Sequence, residues 1–171
     1  LGDVYKRQDQ TRIQEQLQEW LTTFVEQPNP LLNNWPPCPY ARQARLNNQI
    51  HIVFDSPLEI ARYVTSLDNH DVVVLCFDHT KFSSNQIELF TRHVNSILIW
   101  RDCVVLEDHP DALELINGVP MNFGKCGLMI LQRLSKLNTA ADQLKEKGYY
   151  NTWSRENLDE VVNWRYDLRK N

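Results

Sequence analysis

The residues with the greatest potential for chemistry lie together in residues 35–45, Trp-Pro-Pro-Cys-Pro-Tyr-Ala-Arg-Gln-Ala-Arg. Cys38 stands between prolines, at the expected start of a short helix. A helix dipole and free backbone N–H groups stabilise a thiolate at such a position. Arg42 follows one helical turn later and adds positive charge, and Arg45 can join it in holding an anion. This stretch therefore predicts a single reactive thiol beside an anion-binding pair of arginines.

The Cys-Pro-Tyr part of this stretch, residues 38–40, resembles a glutaredoxin active site. It departs from that pattern at two points. Ala41 stands where the second cysteine of a dithiol motif would be, and no strand is predicted before the motif. The alternative interpretation is structural, with Cys38 as a buried wedge between helix and sheet, and with Trp35 and Tyr40 packed around it. A role for the thiol as a metal ligand is a third interpretation.

Two Asp-His dipeptides form a second group of candidate residues. Asp78-His79 follows one apolar run, and Asp108-His109 follows another, with Pro110 directly after it. If the two strands are parallel neighbours, both pairs converge at the carboxyl edge of the sheet, where ligands bind. They would then lie within reach of one metal ion or one substrate. The sequence has no specific metal-ligand spacing here, and Asp and His are common after strands. No metal is therefore expected, and these four residues are the candidates if one binds.

A glycine-containing loop, residues 117–127, supplies a third candidate. Its glycines allow a ligand to approach the backbone closely, and Lys125 could hold an anion. The loop lacks the spacing of a phosphate-binding P-loop. A connection that enters a buried strand is the structural alternative.

These residues predict a small enzyme that uses the Cys38 thiol, with His109 as its base or orienting group. The predicted substrate contacts are Arg42, Arg45, Asp108 and Lys125. One alternative is a non-enzymatic binding or interaction module in which the Cys-Pro-Tyr-Ala turn is structural. The other is a metal-binding protein that uses the two Asp-His pairs. No cofactor is indicated.

The elements that must position these residues follow from the apolar periodicity. An N-terminal amphipathic helix, with apolar residues from Ile13 to Val25, precedes the Cys-Pro-Tyr-Ala turn. Strands are predicted at residues 49–54, 72–77, 103–106 and 127–131, and helices at residues 39–46, 57–67, 84–100, 134–147 and after residue 154. This alternation favours an α/β (or α+β) fold with a mixed four-stranded sheet and helices packed on it. The last strand follows a long loop without a helix, so it is expected to run antiparallel.

Composition narrows the class of protein. The chain has 171 residues, of which 42% are hydrophobic, and a net charge of −4. This charge makes a small molecule or a protein a better expected partner than nucleic acid. No apolar run is long enough for a membrane span, which needs about 18 residues.

The four cysteines form no Cys-x-x-Cys pair. Free thiols and a cytoplasmic location are therefore expected.

The first eight residues are expected to be foreign to the fold. They resemble translated adaptor sequence joined to a reading frame, and position 1 is not methionine. We therefore expect residues 1–8 to be a non-native leader and residues 9–171 to form a single α/β domain.

The order of the motifs is similar to that of an uncharacterised bacterial family whose members carry a Cys-Pro-Phe-Ala motif and a later His-Pro motif. The chain also resembles proteins from marine phage assemblies. The matching parts here are residues 38–41, the apolar run 72–77, His109-Pro110 and the leucine-rich segment 128–137. Tyr40 stands where the family typically has Phe. The resemblance implies only that Cys38 and His109 belong to one pattern.

Overall fold

A four-stranded mixed sheet is the centre of the fold. In a computed structural model that describes residues 5–168, the strands lie in the order β1-β2-β6-β3. Strand β1 runs parallel to β2, and β6 runs antiparallel to both β2 and β3. The sheet strands are β1 (Ile50–Phe54), β2 (Val72–Phe77), β3 (Cys103–Asp108) and β6 (Gly127–Arg133), and a separate hairpin consists of β4 (Leu115–Ile116) and β5 (Val119–Pro120).

Helices cover both faces of this sheet. The α-helices are α1 (Arg7–Trp20), α2 (Ala41–Leu46), α3 (Ser84–Leu98), α4 (Leu134–Glu146), α5 (Arg155–Leu158) and α6 (Trp164–Asp167). Helix α1 continues as a π-helical segment, Leu21–Val25, and a second π-helical segment, Asp159–Asn163, joins α5 to α6. A long 3-10 helix, Pro57–Asp68, connects β1 to β2, and short 3-10 turns occupy Pro30–Leu32, His79–Lys81 and Ile99–Arg101. The predicted fold, a mixed four-stranded sheet with packed helices, is confirmed.

Capping residues explain where several helices begin and end. Ser83 and Gln86 form a reciprocal capping box at the start of α3. The Ser154 side chain accepts a hydrogen bond from the Asn157 backbone at the start of α5. After α4, Gly148 adopts a φ of +84°, a left-handed conformation that glycine adopts without steric cost.

We call one face of the sheet the packed face, because helix α3 and the 3-10 helix 57–68 cover it with a continuous core. The buried residues of this core are Ile60, Val64, Leu67, Val73, Leu75, Phe77, Ile87, Val94, Leu98, Cys103, Val105, Met129 and Leu131. Space here is tight: a Cβ atom on Gly127 would lie 2.1 Å from the ring of Phe77. Glycine at position 127 is thus required by the position of that ring.

We call the opposite face the cavity face. Helix α1 packs on it through Ile13 and Leu17, and α4 packs at the β3 side of the sheet through Leu134. Between these two contacts the sheet is incompletely covered. The side chains of Val74 in β2 and Ile130 in β6 are only partly buried, although both strands are central in the sheet.

Strand β3 lies at one edge of the sheet. There, the buried Asn95 side chain of α3 forms two hydrogen bonds with the backbone of Val105. Its amide nitrogen donates to the Val105 carbonyl at 2.9 Å, and its amide oxygen accepts from the Val105 N–H at 2.8 Å.

The order of the strands differs from one expectation. Strands β2 and β3 are not neighbours, because β6 inserts between them in antiparallel orientation. The predicted leader lies partly outside the described residues. Of its described part, the Tyr5 hydroxyl donates to the Phe77 carbonyl at 3.2 Å, and the chain from Arg7 onward forms the first turn of α1.

Candidate functional site

A cavity of about 360 Å³ opens on the cavity face of the sheet. Its floor includes Val74, Leu106 and Ile130, which lie beside one another on β2, β3 and β6. Its walls come from α1, the π-helical segment 21–25, α4 and the C-terminal segment, with side chains such as Leu17, Trp20, Phe24, Leu137, Ala140, Ala141, Leu144, Tyr149, Tyr150, Trp153, Val161 and Val162. Concave apolar sites of this kind are where proteins bind small molecules.

The Cys-Pro-Tyr-Ala stretch forms part of the rim of this cavity. Pro37, Cys38, Pro39 and Tyr40 all line it. The Tyr149 hydroxyl donates to the Pro37 carbonyl at 2.6 Å. The Tyr40 hydroxyl lies 3.4 Å from the carbonyl oxygen of α4 residue 140 and 3.2 Å from the side-chain oxygen of residue 143. These contacts fasten the rim to α4 and to the aromatic residues after it.

Part of Cys38 is exposed to solvent, unlike the other three cysteines of the chain, but its thiol is desolvated where the residue lines the cavity. The surrounding cavity wall raises the pKa of its thiol by desolvation, and the Glu26 carboxylate acts in the same direction. The N–H groups of Tyr40 and Ala41 oppose this shift but do not reverse it. Helix α2 begins only at Ala41 and has six residues, so it gives the thiol little dipole stabilisation. The expected activation of the thiol is therefore not supported by its surroundings.

His109 does not lie beside Cys38. It is 2% exposed, and both ring nitrogens are engaged within its own surroundings. Its Nε2 is 2.8 Å from the Phe82 carbonyl and therefore carries the proton, while its Nδ1 accepts a hydrogen bond from the Asp111 backbone at 3.1 Å. Both ring nitrogens therefore have partners close to His109, and the structure does not bring the two predicted catalytic residues together.

The Asp-His pairs meet only in part. The rings of His79 and His109 lie 5.7 Å apart, edge to face. Asp108 turns away to accept hydrogen bonds from the Asn122 amide and the Phe123 N–H, both shorter than 3 Å. Asp78 caps the turn that follows it by accepting from the N–H and hydroxyl of residue 80. Among residues 5–168 no group of three or more His, Cys, Asp or Glu side chains is arranged to hold a metal ion.

The residues predicted to bind an anion do not form one site either. Arg45 forms a two-pronged ion pair with the buried Glu26 side chain, with N–O distances of 2.6 and 2.9 Å. This pair fastens α2 to the end of the first helix, so Arg45 has a structural partner. Arg42 and Lys125 are exposed and do not line the cavity.

A second, smaller pocket of about 210 Å³ lies between the carboxyl end of β3 and the start of α3. Burial raises the pKa of three carboxyl groups there, those of Glu107, Asp108 and Glu114. Among the described residues, no lysine or arginine lines this pocket. Acidic side chains alone do not identify a ligand. The Asp108 carboxylate already accepts hydrogen bonds from Asn122 and Phe123.

The residue that the sequence interpretation missed is Arg165. It is 4% exposed and lines the cavity. Its Nε donates to the Val162 carbonyl at 3.3 Å, and no carboxylate within residues 5–168 forms an ion pair with it. The sequence contains a signal for it: position 165 falls on the helical stripe of Val161, Val162 and Leu168, where an apolar residue is expected.

Two polar groups accompany Arg165 in the cavity wall. The Tyr150 hydroxyl interacts with the guanidinium, and burial of that phenol raises its pKa in spite of the nearby positive charge. The buried Nε1–H of Trp153 has no hydrogen-bond partner within the described chain.

Comparisons with protein families, with curated proteins and with solved structures found no match, so the function is inferred from geometry alone. Within residues 5–168, no helix is both long and apolar enough to cross a membrane. The structure thus defines an apolar cavity with a buried cation, Arg165, in its wall.

Proposed function

We propose that this protein is a non-enzymatic binding module that holds an apolar small molecule in the cavity between the sheet, α1 and α4. The observation that carries this proposal is the partial exposure of Val74 and Ile130 in the two central strands of the sheet. Central strands are normally buried when helices cover them. A partly open volume of about 360 Å³ over these side chains is of the size that accommodates a small ligand.

An empty space of this size would lower the stability of the fold if it had no ligand. Native interiors contain few voids larger than a water molecule. In engineered cavities, stability falls by roughly 24 cal/mol for each Å³ left empty, so a fully enclosed void of this size would cost several kcal/mol. The opening at the rim admits water and reduces this loss, but apolar side chains of the floor and walls stay unpacked. An apolar ligand would restore the missing contacts.

The surroundings of Cys38 favour binding over catalysis. A reactive thiol needs a lowered pKa or an adjacent base. The pKa of Cys38 is raised, and both nitrogens of His109 serve other partners. In our proposal the Cys-Pro-Tyr-Ala stretch therefore shapes the entrance of the cavity and performs no reaction.

We further propose that the protein acts in the cytoplasm on a small-molecule partner. All four cysteines are free thiols, and three of them are buried, which fits a reducing compartment. The net charge of −4 disfavours a nucleic-acid partner.

A neutral apolar dye tests the binding function without any charge effect. We expect Nile red to bind saturably to the protein with an increase in fluorescence, and 1-decanol to displace it. Replacing Ala140 by Phe adds bulk to the cavity wall and should weaken dye binding about tenfold or more. Thr139→Phe is the matched control, because residue 139 is the exposed neighbour on α4.

The control variant should bind the dye with the affinity of the unaltered protein. Absence of saturable binding by the unaltered protein would overturn the proposal. Equal loss of binding in both variants would do the same, because it would place the dye outside the cavity.

A further inference from the structure

Arg165 places a positive charge in an apolar wall. Its side chain is 4% exposed, and the residues next to it in the cavity are largely aliphatic and aromatic. Within residues 5–168, the single other charged residue in the lining is Asp71, which forms a 3.3 Å ion pair with Lys136. Asp142 acts on Arg165 only at longer range, and instead accepts a hydrogen bond from Tyr166 at 2.7 Å. The guanidinium is therefore not neutralised by the described residues.

A buried charge without a counter-ion is unfavourable, and proteins retain one mainly where it is used. Burial lowers the pKa of the Arg165 guanidinium, which shows that its surroundings disfavour the cation. The hydrogen bond from its Nε to the Val162 carbonyl lies within one helical turn and does not require a charged side chain. The guanidinium also hydrogen-bonds the Tyr150 hydroxyl, but a neutral phenol does not balance its positive charge.

The donors around Arg165 suit an oxyanion. A guanidinium presents parallel N–H groups whose geometry matches the two oxygens of a carboxylate. The Tyr150 hydroxyl is already associated with this guanidinium, and the Trp153 indole N–H in the same lining lacks a partner among the described residues. A single cation in the wall balances one negative charge rather than two.

We infer that the ligand of the cavity is an amphiphilic monocarboxylate, whose carboxylate pairs with Arg165 and whose apolar body lies over Val74, Leu106 and Ile130. This inference rests on the proposed binding function and adds the chemical class of the ligand. Its apolar part fills the cavity, and its charge neutralises the guanidinium.

Three ligands with the same apolar chain and different head groups test the inference on the full chain. Binding of decanoate, 1-decanol and decylamine is measured by displacement of Nile red at pH 7, below the concentrations at which the ligands self-associate. We expect decanoate to bind about tenfold or more tightly than 1-decanol, and decylamine to bind most weakly. Replacing Arg165 by Met should remove the preference for decanoate over 1-decanol.

Two further variants make the test specific. Arg155→Met is the matched control, because Arg155 is exposed on the same C-terminal segment and its removal changes the net charge equally. It should leave the preference for decanoate intact. Arg165→Lys keeps the charge but loses the paired N–H groups, so we expect an intermediate preference. This variant also serves if Arg165→Met does not fold.

The outcomes separate the two proposals. If 1-decanol binds but decanoate binds no more tightly, the inference about Arg165 is wrong and the binding function stands. If Arg165→Met retains the preference for decanoate, the carboxylate is held elsewhere and the inference is likewise wrong. If none of the three ligands displaces Nile red, or the dye itself does not bind, the binding function is wrong and the inference falls with it.

Discussion

The two faces of the sheet are built from the same strands but are covered in different ways. On the packed face, Val73, Leu75 and Leu131 are completely buried beneath α3 and the 3-10 helix 57–68. On the cavity face, their sequence neighbours Val74 and Ile130 are only partly buried. Because neighbouring residues of a strand point to opposite faces, the difference is caused by the helices that cover each face and not by the strands.

The polar side chains at the end of β3 differ from those in the cavity wall in whether their polar groups have partners within the protein. His109 and Asp108, at the end of β3, have their polar atoms engaged by neighbouring groups. In the cavity wall, the Trp153 Nε1–H has no hydrogen-bond partner in the described chain, and no described carboxylate forms an ion pair with Arg165. The candidate function therefore lies where packing is incomplete, and not at His109, whose ring nitrogens both have partners.

The largest expected effect follows from replacing His109 by Ala on the packed side. The variant loses two hydrogen bonds, leaves the Phe82 carbonyl without its donor and opens a void. We expect the free energy of unfolding, measured in urea, to fall by about 3–4 kcal/mol. His93→Ala, at an exposed position of α3, should change it by less than about 0.5 kcal/mol. Equal stability of both variants would contradict the structural role of His109.

A smaller loss is expected for Gly127→Ala. The added methyl group would collide with the Phe77 ring, and overpacking of a buried site costs about 1–3 kcal/mol. Calorimetric melting of Gly127→Ala, of Phe77→Leu and of the double variant measures the coupling between the two sites. The smaller leucine should recover part of the loss caused by the methyl group. If the two losses simply add, the collision is not the cause.

The smallest effect is expected for Cys38→Ser at the cavity rim. Because Ser is close to Cys in size and Cys38 lies at the open rim of the cavity, the free energy of unfolding should change by less than about 1 kcal/mol. The raised pKa of the thiol means that less thiolate is present at pH 7 than for an ordinary cysteine. Alkylation by iodoacetamide, followed by mass spectrometry, should therefore accelerate only as the pH rises beyond about 8.5. An alkylation midpoint below that value would revive the reactive-thiol hypothesis.

Much of the fold could be predicted because local patterns and tertiary structure agree. The continuous apolar run of β2, the capping box of Ser83 and Gln86, and the left-handed Gly148 each define an element from nearby residues. The position of β6 between β2 and β3 could not be predicted in this way. It depends on the path of the long connection after β3, and no local pattern specifies which strands a returning strand will join.

The candidate site was harder to predict for the same reason. Residue type alone makes Cys38 and His109 candidates for catalysis. Whether a thiol or an imidazole is reactive depends on partners that are distant in sequence. The Phe82 carbonyl, 27 residues before His109, decides the state of that ring. Arg165 left a clearer signal, a charge on an apolar helical stripe, and such mismatches between a residue and its local pattern deserve as much weight as familiar motifs.

The hydrogen bonds of Asn95 at the edge of the sheet have a consequence for self-association. An edge strand presents unpaired backbone groups that can recruit a strand from another chain and start aggregation. By bonding to both the N–H and the carbonyl of Val105, the Asn95 amide takes the place that a peptide group of a fifth strand would occupy. A single side chain of α3 thus withdraws the middle of β3 from intermolecular β-pairing.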